Sequence, residues 1–241
     1  MYYGIPLRRR RLRRFYAMFV PRGGLCFDVG ANAGNRTKAF SDLGARVVSI
    51  EPQPHFARLL RRFFAGNTRV TVVDTAVGDA PGAVTLFLNE RHPTLATTRG
   101  DWVDALRDTE LFRNERWSTS VEVPQRTLDD LIGEFGEPDF VKIDVEGNEA
   151  GVLAGLTRPL RALSFEFIPA APGAARDCVR RLRELGDYRY NYSFSERMHL
   201  EHDTWLSPDE LLDMLGALPE TGSSGDAYAV RTDALDTLIR T

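Results

Sequence analysis

Residues Leu25–Glu51 read LCFDVGANAGNRTKAFSDLGARVVSIE. Leu25 to Val29 is short, mostly apolar and β-prone, as a strand buried on both faces must be. Gly30-Ala31-Asn32-Ala33-Gly34 then turns the chain with little side-chain bulk. Glycines there admit positive φ and let a ligand approach the backbone. Thr37 to Leu43 predicts a short helix that Gly44 can close. Arg46 to Ile50 is a second strand, and Glu51 stands at its carboxyl end. Open α/β sheets bind nucleotides at that edge, and an acid there can accept hydrogen bonds from both ribose hydroxyls.

The turn chemistry argues against a dinucleotide. A pyrophosphate wants G-x-G-x-x-G, bare backbone at a helix N-terminus. Here Asn32 takes the middle place, giving G-x-N-x-G. Asp28 puts a negative charge under the loop, which suits a cationic ligand better than a pyrophosphate. S-adenosylmethionine meets these demands: an adenosine, a sulfonium, an amino group and no phosphate. A G-x-N-x-G turn alone fits a ligand-free turn equally well; Glu51 after the second strand tips the balance to binding.

At 241 residues the chain is long enough for one α/β domain with a sizeable core. Its hydrophobic share of 43% and charged share of 27% are ordinary for a soluble globular protein. No apolar run is long enough to span a bilayer. Phe15 to Val20 is too short for a signal-peptide core and lacks a following cleavage site. Of the two cysteines, Cys26 lies in the first strand and reads as a buried thiol, consistent with the cytoplasm as the expected location. Neither cysteine has the near neighbours of a zinc site.

The net charge of −3 hides an asymmetry. Residues 1–23 hold Arg8, Arg9, Arg10, Arg11, Arg13, Arg14 and Arg22 and no acid, so 24 basic residues face 34 acids in the rest of the chain. Such an arm could touch an anionic membrane or another acidic partner through Arg8–Arg14. The plainer reading is a solvated helix docked on an acidic body. No arginine–aromatic interleaving supports a nucleic-acid partner, and none is expected. Residues 1–22 are therefore read as a basic arm, with an amphipathic helix after Pro6, and 23–241 as the domain.

Beyond Glu51, Pro52 to Ala65 predicts a helix with Phe56, Leu59, Leu60, Phe63 and Phe64 toward the sheet. Strands are expected at Val70–Asp74, Ala83–Leu88, Val121–Val123, Asp139–Asp144, Leu160–Ile168, Tyr188–Phe194 and Asp226–Val230. Helices are expected at Thr127–Phe135, Glu149–Leu156 and Ala174–Leu185. Asn89 to Ser120 is irregular and is expected to form a loop or short helix over the site. Alternating strands and helices predict a mostly parallel sheet covered on both faces. Acids recur at strand ends: Asp74, Asp144 with Glu146 and Glu149, and Glu166 between Phe165 and Phe167. Asp74 and Glu149 can equally be helix caps or surface charges. A carboxylate inside an apolar strand is costly to bury unpaired, which singles out Glu166.

FDVGANAGNRT, SIEPQP, DTAVGD with the following AVTLFL, TLDDL and DFVKIDVEGNE, in this order over residues 25–170, resemble the FkbM family of S-adenosylmethionine-dependent methyltransferases. The resemblance implies an α/β, Rossmann-like seven-stranded sheet, mostly parallel, with helices on both faces and the last strand antiparallel. It implies methyl transfer, usually to a hydroxyl of a sugar, a lipid-linked glycan or a natural product. By motif, Asp28, Gly30, Ala31, Asn32 and Gly34 would cradle the methionine part and Glu51 the ribose. Pro52 would lie beside the adenine, and Asp74, Thr75 and Ala76 along its edge. Asp144 and Glu146 would border the methyl group and the acceptor. The arginine-rich arm and Asn89–Ser120 match nothing in the family pattern.

A sulfonium methyl is already activated, so the enzyme must align an acceptor oxygen with it and remove a proton. The candidate bases are Asp144, Glu146, Glu166 and His92, with Asp144 or Glu146 preferred and Glu166 in support. No metal is expected, although the acid cluster could instead bind a divalent cation that orients two acceptor hydroxyls. The alternatives to a hydroxyl acceptor are RNA or protein methylation using the basic arm, and a non-catalytic Rossmann-type binding module. No amine-methylation motif of the N/D-P-P-Y type supports base methylation.

Overall fold

The computed structural model describes residues 6–89, 91–107 and 115–239. In chain order the strands are β1 (Leu25–Val29), β2 (Arg46–Ile50), β3 (Val70–Val73), β4 (Ala76–Val77), β5 (Gly82–Asn89), β6 (Trp117–Arg126), β7 (Phe140–Ile143), β8 (Ala162–Phe167), β9 (Tyr188–Phe194) and β10 (Gly225–Arg231). The helices are α1 (Pro6–Tyr16), α2 (Asn35–Asp42), α3 (Pro54–Phe64), α4 (Gly100–Arg107), α5 (Leu128–Phe135), α6 (Glu149–Ala154), α7 (Pro172–Leu185), α8 (Pro208–Gly216) and α9 (Leu235–Ile239). Seven strands form one sheet in the order β3-β2-β1-β7-β8-β10-β9. Neighbours from β3 to β8 are parallel, and β10, the last strand in the chain, is antiparallel to both β8 and β9.

All five residues of β1 are buried because helices cover both faces. Alternation sends Leu25, Phe27 and Val29 into a core with Leu131, Val141 and Leu182. Cys26 enters the opposite core, with Phe40, Phe140 and Tyr228. The basic helix α1 closes that second core. Its Phe15 and Tyr16, with Phe19 just beyond, are buried, and Phe19 stacks on Phe140 and Tyr228 with ring centroids 5.2 and 5.1 Å away. The aromatic end of α1 thus docks while Arg9, Arg10, Arg11, Arg13 and Arg14 face outward.

Several features depart from the sequence expectation. β6 spans ten residues rather than Val121–Val123, and with β4 and β5 it forms a separate three-stranded sheet. α8 follows a capping box in which Ser207 and Glu210 each bind the other's backbone N–H, a signal the chain carries openly. Phe63 does not face the sheet: Ala57, Leu60 and Phe64 cover it, and Phe63 is 48% exposed on the next turn face. Among the described residues, no helix is long and apolar enough to cross a membrane.

Candidate active site

The cleft opens at the carboxyl edge where β1 meets β2 on one side and β7 on the other, the switch point of the sheet. Gly30 leaves β1 at φ +80°, and a Cβ there would lie 1.7 Å from the Asp144 carbonyl oxygen. Only glycine lets the β1 and β7 loops close on each other; the Asp144 N–H donates to Val29 O at 3.0 Å. Asn32 (φ +48°) and Gly34 (φ +80°) complete the turn, and Gly34 brings no side-chain cap to the first turn of α2. That turn is held from below. Oδ2 of Asp28 accepts from the Thr37 N–H at 2.7 Å and the Thr37 hydroxyl at 2.5 Å. Burial pushes the Asp28 pKa up, against the pull of Thr37, Arg36 and Lys142. One oxygen of the charge expected under the loop is thus engaged in fixing α2.

Glu51 is 2% exposed. Its Oε2 accepts from the Asn32 N–H at 2.7 Å and its Oε1 from the Gln53 N–H at 2.8 Å. Each oxygen keeps a second lone pair for a ligand hydroxyl. Burial raises its pKa to about 7, opposed by those two N–H donors. Gly30, Asn32, Glu51, Pro52, Thr75 and Ala76 all line one lobe of the cleft, and Asp28, Gly30, Ala31, Asn32, Lys142 and Asp144 the adjoining one. The lobes measure about 490 and 780 Å3 out to open solvent. Asp74, expected at the adenine edge, does not line them. It points outward to Arg61 at 2.6 Å, and that guanidinium holds its pKa below the usual carboxylate value.

The other wall is acidic. One carboxylate oxygen from each of Asp144, Glu146 and Glu166 falls within 4.8 Å of the others. Burial, then the charge of Asp144, pushes the pKa of both Glu146 and Glu166 well up, and Oε2 of Glu166 is buried without a hydrogen-bond partner. Glu149 is no part of this group. Its Oε1 accepts from the Val145 and Gly147 N–H groups at 3.0 and 3.2 Å and so braces the loop that carries Asp144 and Glu146.

Sequence reasoning missed Lys142, a lysine inside the apolar run FVKI. Its side chain is 1% exposed and lies 2.6 Å from Asp226 and 3.2 Å from Asp144. Burial alone would lower its pKa, but these two carboxylates outweigh it and raise it. Residues 92–98, part of the stretch read from the sequence only as irregular, border the cleft. Thr94, Ala96 and Thr98 line the cleft, Gln53 Nε2 donates to Pro93 O at 3.0 Å, and Asn148 Nδ2 donates to Thr98 Oγ1 at 3.0 Å. His92 lies outside, 59% exposed and 3.4 Å from Glu115.

A doubly covered sheet with a carboxylate after β2 and a glycine turn after β1 suits an adenosyl ligand without a pyrophosphate, such as S-adenosylmethionine. The donor set fits that cofactor: Glu51 for two hydroxyls, the uncapped turn at Gly34 for a carboxylate, and acids for an ammonium and a sulfonium. The methyltransferase FkbM domain profile matches residues 28–206, and the chain belongs to that family. The hexuronic acid methyltransferase AglP of Haloferax volcanii is 26% identical over 164 residues, 66% of this chain and 61% of that protein, so the match spans about three fifths of the relative. Among solved structures, precorrin-6y C5,15-methyltransferase of Geobacter metallireducens aligns with a TM-score of 0.49 at 11% identity, covering 93% of this chain and 86% of its own. An O-methyltransferase of Bacillus cereus aligns with a TM-score of 0.43 at 14% identity, covering 95% and 82%.

Proposed function

We propose that the protein methylates a hydroxyl of a sugar, a lipid-linked glycan or a natural product, with Asp144, Glu146 and Glu166 on the acceptor side. The observation that carries this is the convergence of three carboxylates beside the Glu51 lobe. The bound cofactor supplies a methyl on a cationic sulfur. What the chain adds is alignment and a base. A hydroxyl must lose its proton as the new C–O bond forms, and a carboxylate within hydrogen-bond reach takes it. Asp144 is held by Lys142, whereas Glu146 and Glu166, whose pKa values are raised, hold a proton more firmly than free glutamates and so are stronger bases once ionised. The similarity to a protein named for a hexuronic acid supports a sugar as the acceptor class.

The test is transfer of labelled methyl from S-adenosylmethionine to a panel of hexuronic acids, neutral glycosides and lipid-linked sugars. The product bond is read by alkali. An ether survives mild base and supports the reading; an ester hydrolyses and would move the acceptor to a carboxyl. With the acceptor found, Asp144→Asn and Glu146→Gln should each lower turnover about 10²–10⁴-fold. Full turnover in both variants removes these residues from the mechanism.

A further inference from the structure

At the amino edge of the sheet, opposite the cleft, arginines collect on the β3-β2-β1 side, while Glu137 and Asp139 precede β7 and Asp187 precedes β9. Along β3-β2-β1, each strand is entered past an exposed arginine: Arg69 just before β3, Arg46 as the first residue of β2, and Arg22 ahead of β1. α1 runs antiparallel to α2, with Arg9 paired to Asp42 at one end and Tyr16 accepting from Arg36 at the other. Arg10, Arg11, Arg13 and Arg14 are exposed and, among the described residues, have no ion-pair partner. With Leu43 they line one shallow concavity, and Leu43 continues into a second that holds Arg22 and Arg69. Asp42 is an acid within this face, and Arg9 and Lys38 neutralise it. Phe63 lies in the last turn of α3, close in sequence to Arg69.

Some surface arginines elsewhere are paired, as Arg126 is with Glu134 and Arg231 with Asp233. Like charges three and four residues apart destabilise a helix. Arg10 with Arg13 and Arg14, and Arg11 with Arg14, stand in that way, and the aromatic dock of Phe15, Tyr16 and Phe19 holds them on a rigid body. We propose that this face, α1 with the amino edge of the sheet, docks on an anionic phospholipid bilayer. The face is broad, extending from a helix across three strand ends, and matches a plane of headgroups rather than a groove. A single-strand reader needs successive stacking rings, and among the described residues neither concavity is lined by an aromatic side chain. Exposed arginines held on a rigid face are what an anionic interface takes up. Docking by the amino edge leaves the cleft open to the aqueous side, where a headgroup-linked or soluble acceptor reaches it.

The test is co-sedimentation of the full chain with vesicles of phosphatidylcholine alone and of phosphatidylcholine with an equal part of phosphatidylglycerol. Binding is expected on the anionic vesicles only and should fall with salt. The variant Arg10→Gln/Arg11→Gln/Arg13→Gln/Arg14→Gln should bind them on the order of a thousandfold more weakly, with wild-type affinity for S-adenosylhomocysteine. Arg22→Gln/Arg69→Gln, off the helix, should weaken binding severalfold and serves where the quadruple variant does not fold. Equal binding to both vesicles, no binding, undiminished binding by both variants, or capture by transfer RNA in preference to vesicles would overturn the proposal.

Discussion

Glu51→Gln isolates the one side chain on which the cofactor reading turns. The wild-type carboxylate meets two fixed backbone donors, Asn32 N–H at 2.7 Å and Gln53 N–H at 2.8 Å, one on each oxygen. A glutamine has one oxygen and one NH2, so in either orientation an NH2 faces a backbone N–H. In a site 2% exposed, one donor is left unsatisfied, at a cost of about 1–3 kcal/mol to the folded state. A lower melting temperature reports that cost. Binding loses a separate quantity: a charged acceptor for a ribose hydroxyl, about 1.5–3 kcal/mol, or roughly 10- to 150-fold in Kd for S-adenosylhomocysteine by calorimetry.

The pH dependence gives a second, independent readout. Burial raises the Glu51 pKa from 4.5 to about 7. The folded state therefore holds a proton that the unfolded chain releases. This contribution to stability is complete below the unfolded value and is lost as pH rises through about 7. Cofactor binding has the opposite sign, because hydroxyl donors select the ionised form. Wild-type affinity should climb through neutrality and level off above it, being about tenfold weaker one pH unit below the pKa. The Gln variant lacks this rise and also controls for titration of the ligand's own amine. A Gln variant that binds within about twofold of wild type, or a wild-type profile parallel to the variant's, would refute the reasoning.

Gly30→Ala should lose both stability and cofactor binding, because its Cβ lands on the Asp144 backbone oxygen. Gly23→Ala is the control: φ is also +80°, nothing lies within 4 Å, and the melt should register only the left-handed penalty of about 1–2 kcal/mol. Lys142→Met strands Asp226 in the core without its cation and should cost about 3–5 kcal/mol in urea unfolding, part of which Lys142→Met/Asp226→Leu recovers. Chelation with EDTA should leave turnover unchanged if the three carboxylates act directly. Activity lost on chelation and restored by a divalent cation would instead make them ligands.

The parts of the fold that were legible in the sequence are those whose causes are local. β1, the glycine turn, β2 and Glu51 lie within one βαβ unit, and apolar runs, φ-permissive residues and an acid at a strand end mark them without reference to the rest of the chain. Where the reading slipped, a distant partner decides. α2 begins at Asn35 rather than Thr37 because Gly34 adopts φ +80° and Asp28, from the preceding strand, holds the first turn. β6 is long because β5, some thirty residues earlier, pairs with it from Gly82↔Gln125 to Asn89↔Trp117. Asp74 stands after β3 as expected, and Arg61 on α3, 2.6 Å away, is a partner that its sequence position does not announce.

Lys142 shows the same logic at the site. A lysine in FVKI contradicts the apolar pattern of a central strand, and such a conflict marks a place where function or a buried partner overrides packing. The conflict is visible in the sequence; its resolution is not, because Asp226 stands 84 residues away and reaches Lys142 only through the antiparallel insertion of β10. That insertion sets Asp226 opposite Glu166 in register. β10 therefore brings to the acidic wall the carboxylate that fixes Lys142, and Lys142 in turn restrains Asp144. The strand that distinguishes this sheet from an all-parallel one also supplies the support for its acidic wall.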